Sequence, residues 1–145
     1  MSHVVVAVEI PTDVEVVWRE IGSFQAIDLW HPGLASVRAT GDAPGDQREA
    51  VTRDGHRQLE RLRENDARRH YYRYVIESSF MPVRNYEAEL RADPAGVGMT
   101  VVHWMADFDL TDGSDRTTVP TVQEYFATGL EHLQSRYEAR TQEWR

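Results

Sequence analysis

Apolar and polar positions follow two different periods along this chain. Residues 3–10 alternate with a period of two, which predicts a strand. Pro11-Thr12-Asp13 ends it and opens a helix, with Thr12 and Glu15 at capping-box spacing. Val14, Val17, Trp18 and Ile21 then form the stripe of a short amphipathic helix. Residues 23–29 predict a second short helix. Trp30-His31-Pro32-Gly33 is a break, because proline and glycine interrupt any regular element there.

The period of two returns over residues 34–110, with turn signals at residues 41–45, Asp54-Gly55, Asn65-Asp66, Met81-Pro82 and residues 93–98. Asp54-Gly55 predicts a tight hairpin. Six strands with hairpin-length links imply an antiparallel meander, since no spacing leaves room for a crossover helix. Asp112, Gly113, Ser114 and Asp115 superficially suggest a calcium loop. The alternate ligands and the terminal glutamate are absent, so they read as an ordinary solvated loop. Pro120 and a Thr121/Glu124 capping box then open a helix reaching about Arg140. Its stripe is Val122, Phe126, Leu130, Leu133 and Tyr137, and Gly129 on the same side permits close approach. The whole, residues 1–145, reads as one α+β domain.

Alternation also assigns faces. Arg57, Arg61, Arg63, Tyr71, Arg73, Glu77, Asn85, Glu87, Glu89, Arg91, His103 and Asp107 fall on a charged outer side. Gln58, Glu60, Leu62, Tyr72, Tyr74, Ile76, Tyr86, Ala88, Leu90, Val102, Trp104, Ala106 and Phe108 face the helix stripe. A dry core is usually built from Val, Leu and Ile without polar atoms to satisfy. Tyrosines, a tryptophan, Gln58 and Glu60 in their place suit an internal cavity, with Trp30, Gln58, Leu62, Tyr72, Ile76, Tyr86, Ala88, Trp104, Phe108, Phe126, Gly129, Leu130 and Leu133 expected around a ligand. The alternative is that each aromatic tip simply reaches a protein partner.

Composition narrows the chemistry. The chain has no cysteine and no lysine, which removes disulfides, thiolate chemistry, Schiff bases and the P-loop ammonium. A net charge of −8 with interleaved arginines argues against nucleic acid. No apolar run is long enough for a membrane span, and the first ten residues lack the character of a signal peptide, so a cytoplasmic location is expected. The histidines show neither HxH nor HxxxH spacing, and no metal is expected.

Several short features occur in a telling order. Pro11 precedes a helix carrying Val17-Trp18. Then come Trp30-His31-Pro32, Gly45-x-x-Arg48, Glu60-Arg61-Leu62-x-x-x-Asp66, Tyr74-x-Ile76, Tyr86, Trp104 and a long final helix. From Val4 to Tyr137 the chain resembles the SRPBCC superfamily, the START and birch-pollen-allergen-like helix-grip proteins, and within it the polyketide cyclase/dehydrase-like branch. The resemblance implies a curved seven-stranded antiparallel sheet around the C-terminal helix, two short helices after the first strand, and a cavity between helix and sheet. It also implies a small hydrophobic ligand, such as a polyketide, aromatic or lipid. Any cyclisation, dehydration or isomerisation would proceed without a cofactor.

The candidate chemistry centres on Glu60, a carboxylate on the inward face. Pairing across Asp54-Gly55 brings Glu60 opposite Glu49, with Arg48 one residue out of register. An inward arginine and glutamate serve the plant lachrymatory factor synthase of that superfamily, and Arg48 and Glu60 are similarly placed. As a pair, Glu60 is a candidate general base and Arg48 an oxyanion stabiliser, with Tyr74, Tyr86 or His31 returning a proton. Equally, the pair is a buried structural ion bridge. Three functions stay open from sequence: a cofactor-independent enzyme, a non-catalytic carrier, and a module that binds a partner at the cavity rim. Monomer and homodimer stay open too.

Overall fold

Seven strands form one antiparallel sheet in the order β1-β7-β6-β5-β4-β3-β2. They are β1 (Ser2–Ile10), β2 (Leu34–Ala39), β3 (Gln47–Thr52), β4 (Arg57–Asp66), β5 (Tyr71–Ser79), β6 (Val83–Pro94) and β7 (Thr100–Leu110). Helix α1 (Val14–Ile21) and a 3-10 helix (Phe24–Leu29) follow β1, and α2 (Thr118–Glu143) ends the chain. The computed structural model describes residues 1–143. Successive strands pair as a meander, and β1 closes onto β7 along its whole length, from Ser2 opposite Phe108 to Ile10 opposite Thr100. Register shifts in the β4–β5 and β6–β7 ladders bend the sheet, as bulges do. None of the described helices is long and apolar enough to cross a membrane.

The expected faces are observed. Leu62, Tyr72, Leu90, Val102, Trp104 and Phe108 are sealed on the inner side, against Phe126, Leu130 and Leu133 of α2. Tyr71 is an outward residue that is nevertheless buried. Arg91 and Arg73 lie over its ring at 4.4 and 5.2 Å, and its hydroxyl donates to Glu64.

Four local expectations are corrected. The Thr12/Glu15 capping box does not form: Asp13 caps α1 by position without a side-chain bond, and Glu15 instead pairs with His70 Nε2 at 3.0 Å. The last helix starts at Thr118, ahead of the expected Thr121 cap. Asp115 takes the capping role, accepting from the Thr117 amide and hydroxyl at 2.8 Å each and from the Thr118 hydroxyl. Those bonds hold its carboxyl down at about 2. Thr121 bonds back to the Thr117 carbonyl inside the first turn, which also accommodates Pro120 without losing a helical bond. Asn65 and Asp66 still belong to β4, paired with Tyr72 and Tyr71.

The fourth difference, at the β3–β4 hairpin, sets the site. Its loop has three residues, Arg53-Asp54-Gly55, with Thr52 N–H bonded to the His56 carbonyl and Gly55 N–H to the Thr52 carbonyl. Gly55 takes the left-handed conformation, φ +91°, that this turn requires and a side chain resists. One more loop residue than a two-residue hairpin moves the register by one. Arg48 therefore faces Glu60 directly.

Candidate ligand-binding site

Arg48 on β3 and Glu60 on β4 are both sealed from solvent, and Arg48 Nε donates to Glu60 Oε1 at 2.6 Å. Arg48 Nη1 donates to the Phe24 carbonyl at 2.7 Å and to the Tyr72 hydroxyl at 3.2 Å. The guanidinium lies over the rings of Phe24, at 4.1 Å, and Tyr74, at 4.7 Å. Burial works against this cation. Glu60, with the phenols around it, outweighs that cost and holds the guanidinium charged well above its ordinary value. The other oxygen of Glu60, Oε2, accepts from Gln58 Nε2 at 2.7 Å. Gln58 Oε1 in turn accepts from Ser79 at 3.1 Å. Both carboxylate oxygens are thus occupied by protein.

A cavity of about 490 Å³ lies beyond Gln58, between the first half of α2 and the β3–β4 and β5–β6 turns. The volume suits a small-molecule site, which typically spans ~300–1,000 Å³. Its position follows from the sheet. The β5–β6 ladder stops at Val75–Glu87, while β4–β5 continues to Ser79 and β6–β7 to Val83, so β5 and β6 part toward their turn. Meanwhile α2 lies along β1, where Gln134 bonds the Glu9 carbonyl, and leaves this end of the sheet uncovered. Leu34, Ala50, Phe80, Met81 and Val122 give the apolar lining. Gln58, Tyr86, Tyr125, Thr52, Thr121 and Thr128 give polar points, with Arg53, Asp54, His56 and Glu124 also bordering the space. His56 and Phe80 stack at 4.2 Å, joining the two turns.

Of the residues expected around a ligand, only Gln58 and Tyr86 line this cavity, together with His31 from the proton-relay set. The expected wall of Trp30, Leu62, Tyr72, Ala88, Trp104, Phe108, Phe126, Gly129, Leu130 and Leu133 is packed core, as are Arg48, Glu60 and Tyr74. Trp104 stacks on Phe126 at 4.4 Å and donates its indole N–H to the Tyr74 hydroxyl at 3.1 Å. The polar tips of Trp104, Tyr74 and Tyr72 thus find partners within the protein, whereas the Trp30 indole N–H is sealed without one. Ile76 borders a second concavity of about 420 Å³, beside Arg63, Glu77, Asn85 and Tyr86, where β5 and β6 separate.

His31 is held at both nitrogens. The Gly33 amide can only donate, so Nδ1 accepts it at 3.0 Å. The Tyr125 carbonyl can only accept, so Nε2 carries the proton to it at 2.7 Å. Burial lowers its pKa to about 4, opposed only in part by the bond to the Tyr125 carbonyl and by the ring's own backbone. A neutral ring with both nitrogens engaged braces α2 against the Trp30-His31-Pro32 break. It approaches this closely because residue 129 is glycine, where a Cβ would lie 2.5 Å from His31 Cδ2.

The model of the polyketide cyclase/dehydrase and lipid transport family matches residues 1–138. The chain belongs to that family. Solved structures similar to it include protein XoxI from Bacillus cereus, 27% identical, with a TM-score of 0.86 over 94% of this chain and 96% of that one. A Thermobifida fusca protein is 28% identical, with a TM-score of 0.78 over 94% and 93%. Norcoclaurine synthase from Thalictrum flavum, crystallised with dopamine and hydroxybenzaldehyde, shares the fold at 12% identity, with a TM-score of 0.75 over 92% of this chain and 84% of that one. Among curated proteins there is no match. As in the family at large, the fold here is a ligand-binding one, built on an uninterrupted sheet and a long closing helix.

Tyr125, Ala50, Leu34 and Met81 line the cavity but were not singled out from sequence. Tyr125 lies one position off the apolar stripe of α2. A second stripe, Thr121, Tyr125 and Thr128, was the available signal, at helical spacing on an adjacent face.

Proposed function

We propose that this protein binds one small, mainly apolar molecule in the 490 Å³ cavity, without a cofactor. The supporting observation is the lining itself: aliphatic, thioether and phenyl side chains interrupted by two phenols, a carboxamide and three threonines, with His31, Arg53, Asp54, His56 and Glu124 also bordering the space. That a protein of the same fold has been crystallised with two small aromatics is in keeping with this. Non-catalytic binding is favoured over turnover, because Glu60 is sealed and both its oxygens are engaged.

A second reading rests on Gln58, which both lines the cavity and bonds Glu60 Oε2. A ligand that draws the carboxamide aside gives Glu60 access to a substrate proton. Arg48 then steadies the charge in a cofactor-free cyclisation, dehydration or isomerisation of a carbonyl compound.

Native mass spectrometry and calorimetry with a panel of small aromatics test both. Binding is expected in the natural chain and in Glu60→Gln, and is lost in Ala50→Phe, which fills the cavity from β3. Unimpaired binding in a folded Ala50→Phe protein would sink the cavity assignment. A reaction that Glu60→Gln slows by about 100-fold or more, with binding intact, favours the catalytic reading instead.

A further inference from the structure

The chain has six tyrosines, and four commit their hydroxyls within the protein. Tyr71 donates to Glu64 and Tyr137 to Glu20, while Tyr72 accepts from Arg48 and Tyr74 from Trp104. The remaining two, Tyr86 and Tyr125, are the two that line the cavity. Among the described residues, the side-chain polar atoms sealed from solvent without a partner are Trp30 Nε1 and Arg48 Nη2. Among the described residues the Tyr86 and Tyr125 hydroxyls have no protein partner and are not sealed, and both side chains line the cavity, Tyr86 bordering the second concavity as well.

Both rings are held from behind. Tyr86 stacks on Phe108 at 5.3 Å, and Tyr125 stacks on His31 at 4.3 Å, with His31 itself fixed at both nitrogens. Burial raises the pKa of both phenols, so both remain protonated and able to donate. Two donors held in place by stacked rings are costly to leave unmet once a ligand displaces water.

Building on the cavity-binding function proposed above, we infer that Tyr86 and Tyr125 are the polar recognition element of the site, donating to a carbonyl oxygen on an uncharged aromatic ligand. The charges nearby agree with an uncharged molecule. Asp54 and Glu124 outnumber Arg53 around the cavity, Arg53 Nε is engaged by the Pro32 carbonyl at 2.6 Å, and His31 is neutral. A carboxylate is disfavoured by that balance.

Three probes of nearly equal shape test this by calorimetry on the full chain: 2-acetylnaphthalene, 2-ethylnaphthalene and 2-naphthoic acid. The ketone is expected to bind about tenfold tighter than the hydrocarbon, the worth of one good net hydrogen bond, and tighter than the acid. Tyr86→Phe and Tyr125→Phe should each narrow the gap, and the double variant should bring the ketone to the level of the hydrocarbon. Both substitutions keep the stacked ring, and thermal melts establish that the variants are folded. Equal binding of ketone and hydrocarbon to the natural chain overturns this inference and leaves cavity binding standing. So does a ketone preference that survives the double substitution. If neither probe binds the natural chain, the cavity-binding function fails and this inference with it.

Discussion

Arg48 Nε lies 2.6 Å from Glu60 Oε1, on adjacent strands and out of contact with solvent. Such a pair contributes little net stability, because desolvation offsets the attraction, yet removing one partner strands the other. Arg48→Met should therefore cost about 3–5 kcal/mol, read as a lower urea midpoint. Adding Glu60→Gln should recover much of the loss. A single variant as stable as the natural chain would show that the bridge is dispensable.

Tyr74 carries the hydroxyl that accepts the Trp104 indole N–H at 3.1 Å. Tyr74→Phe keeps the ring but leaves that buried donor unmet, at an expected cost of about 1–3 kcal/mol. Denaturant unfolding measures it, and a neutral result would mean that the indole finds another acceptor.

Gly129 faces a different constraint. A Cβ there would meet His31 Cδ2 at 2.5 Å and Trp30 Cζ3 at 3.1 Å. Alanine favours a helix interior by about 1 kcal/mol over glycine, but overpacking costs about 1–3 kcal/mol. Gly129→Ala is expected to lower the melting temperature, and a rise would mean that the 30–33 segment yields readily.

His31 confers a pH dependence of definite sign. Burial places its folded pKa at about 4, below the ordinary 6.5, so the unfolded chain takes up the proton first. Its contribution is complete above pH 6.5 and is lost as pH falls toward 4, amounting to roughly 3 kcal/mol. His31→Gln should be less stable at pH 7 and flatter between pH 6.5 and 4. Comparing the two proteins at each pH cancels the carboxylates that titrate in both. Parallel curves would exclude the effect.

The period of two, the turn residues and the stripe on the last helix determined the seven strands, their faces and the element that closes them, because backbone geometry ties each to local spacing. They also brought Arg48 and Glu60 to neighbouring strands, missing the register by the one extra residue of the Arg53-Asp54-Gly55 loop. Side-chain alternation says which residues point inward, but not whether they fill the space they face. That depended on volumes from distant segments meeting at once: Trp30 against Trp104 and Trp104 against Phe126 of α2, with Trp30 close to that helix only because residue 129 has no side chain. Only the tertiary structure therefore decided that the aromatic wall is solid. The open volume lies at the other end, where β5 and β6 part and Tyr86 and Tyr125 keep their hydroxyls free.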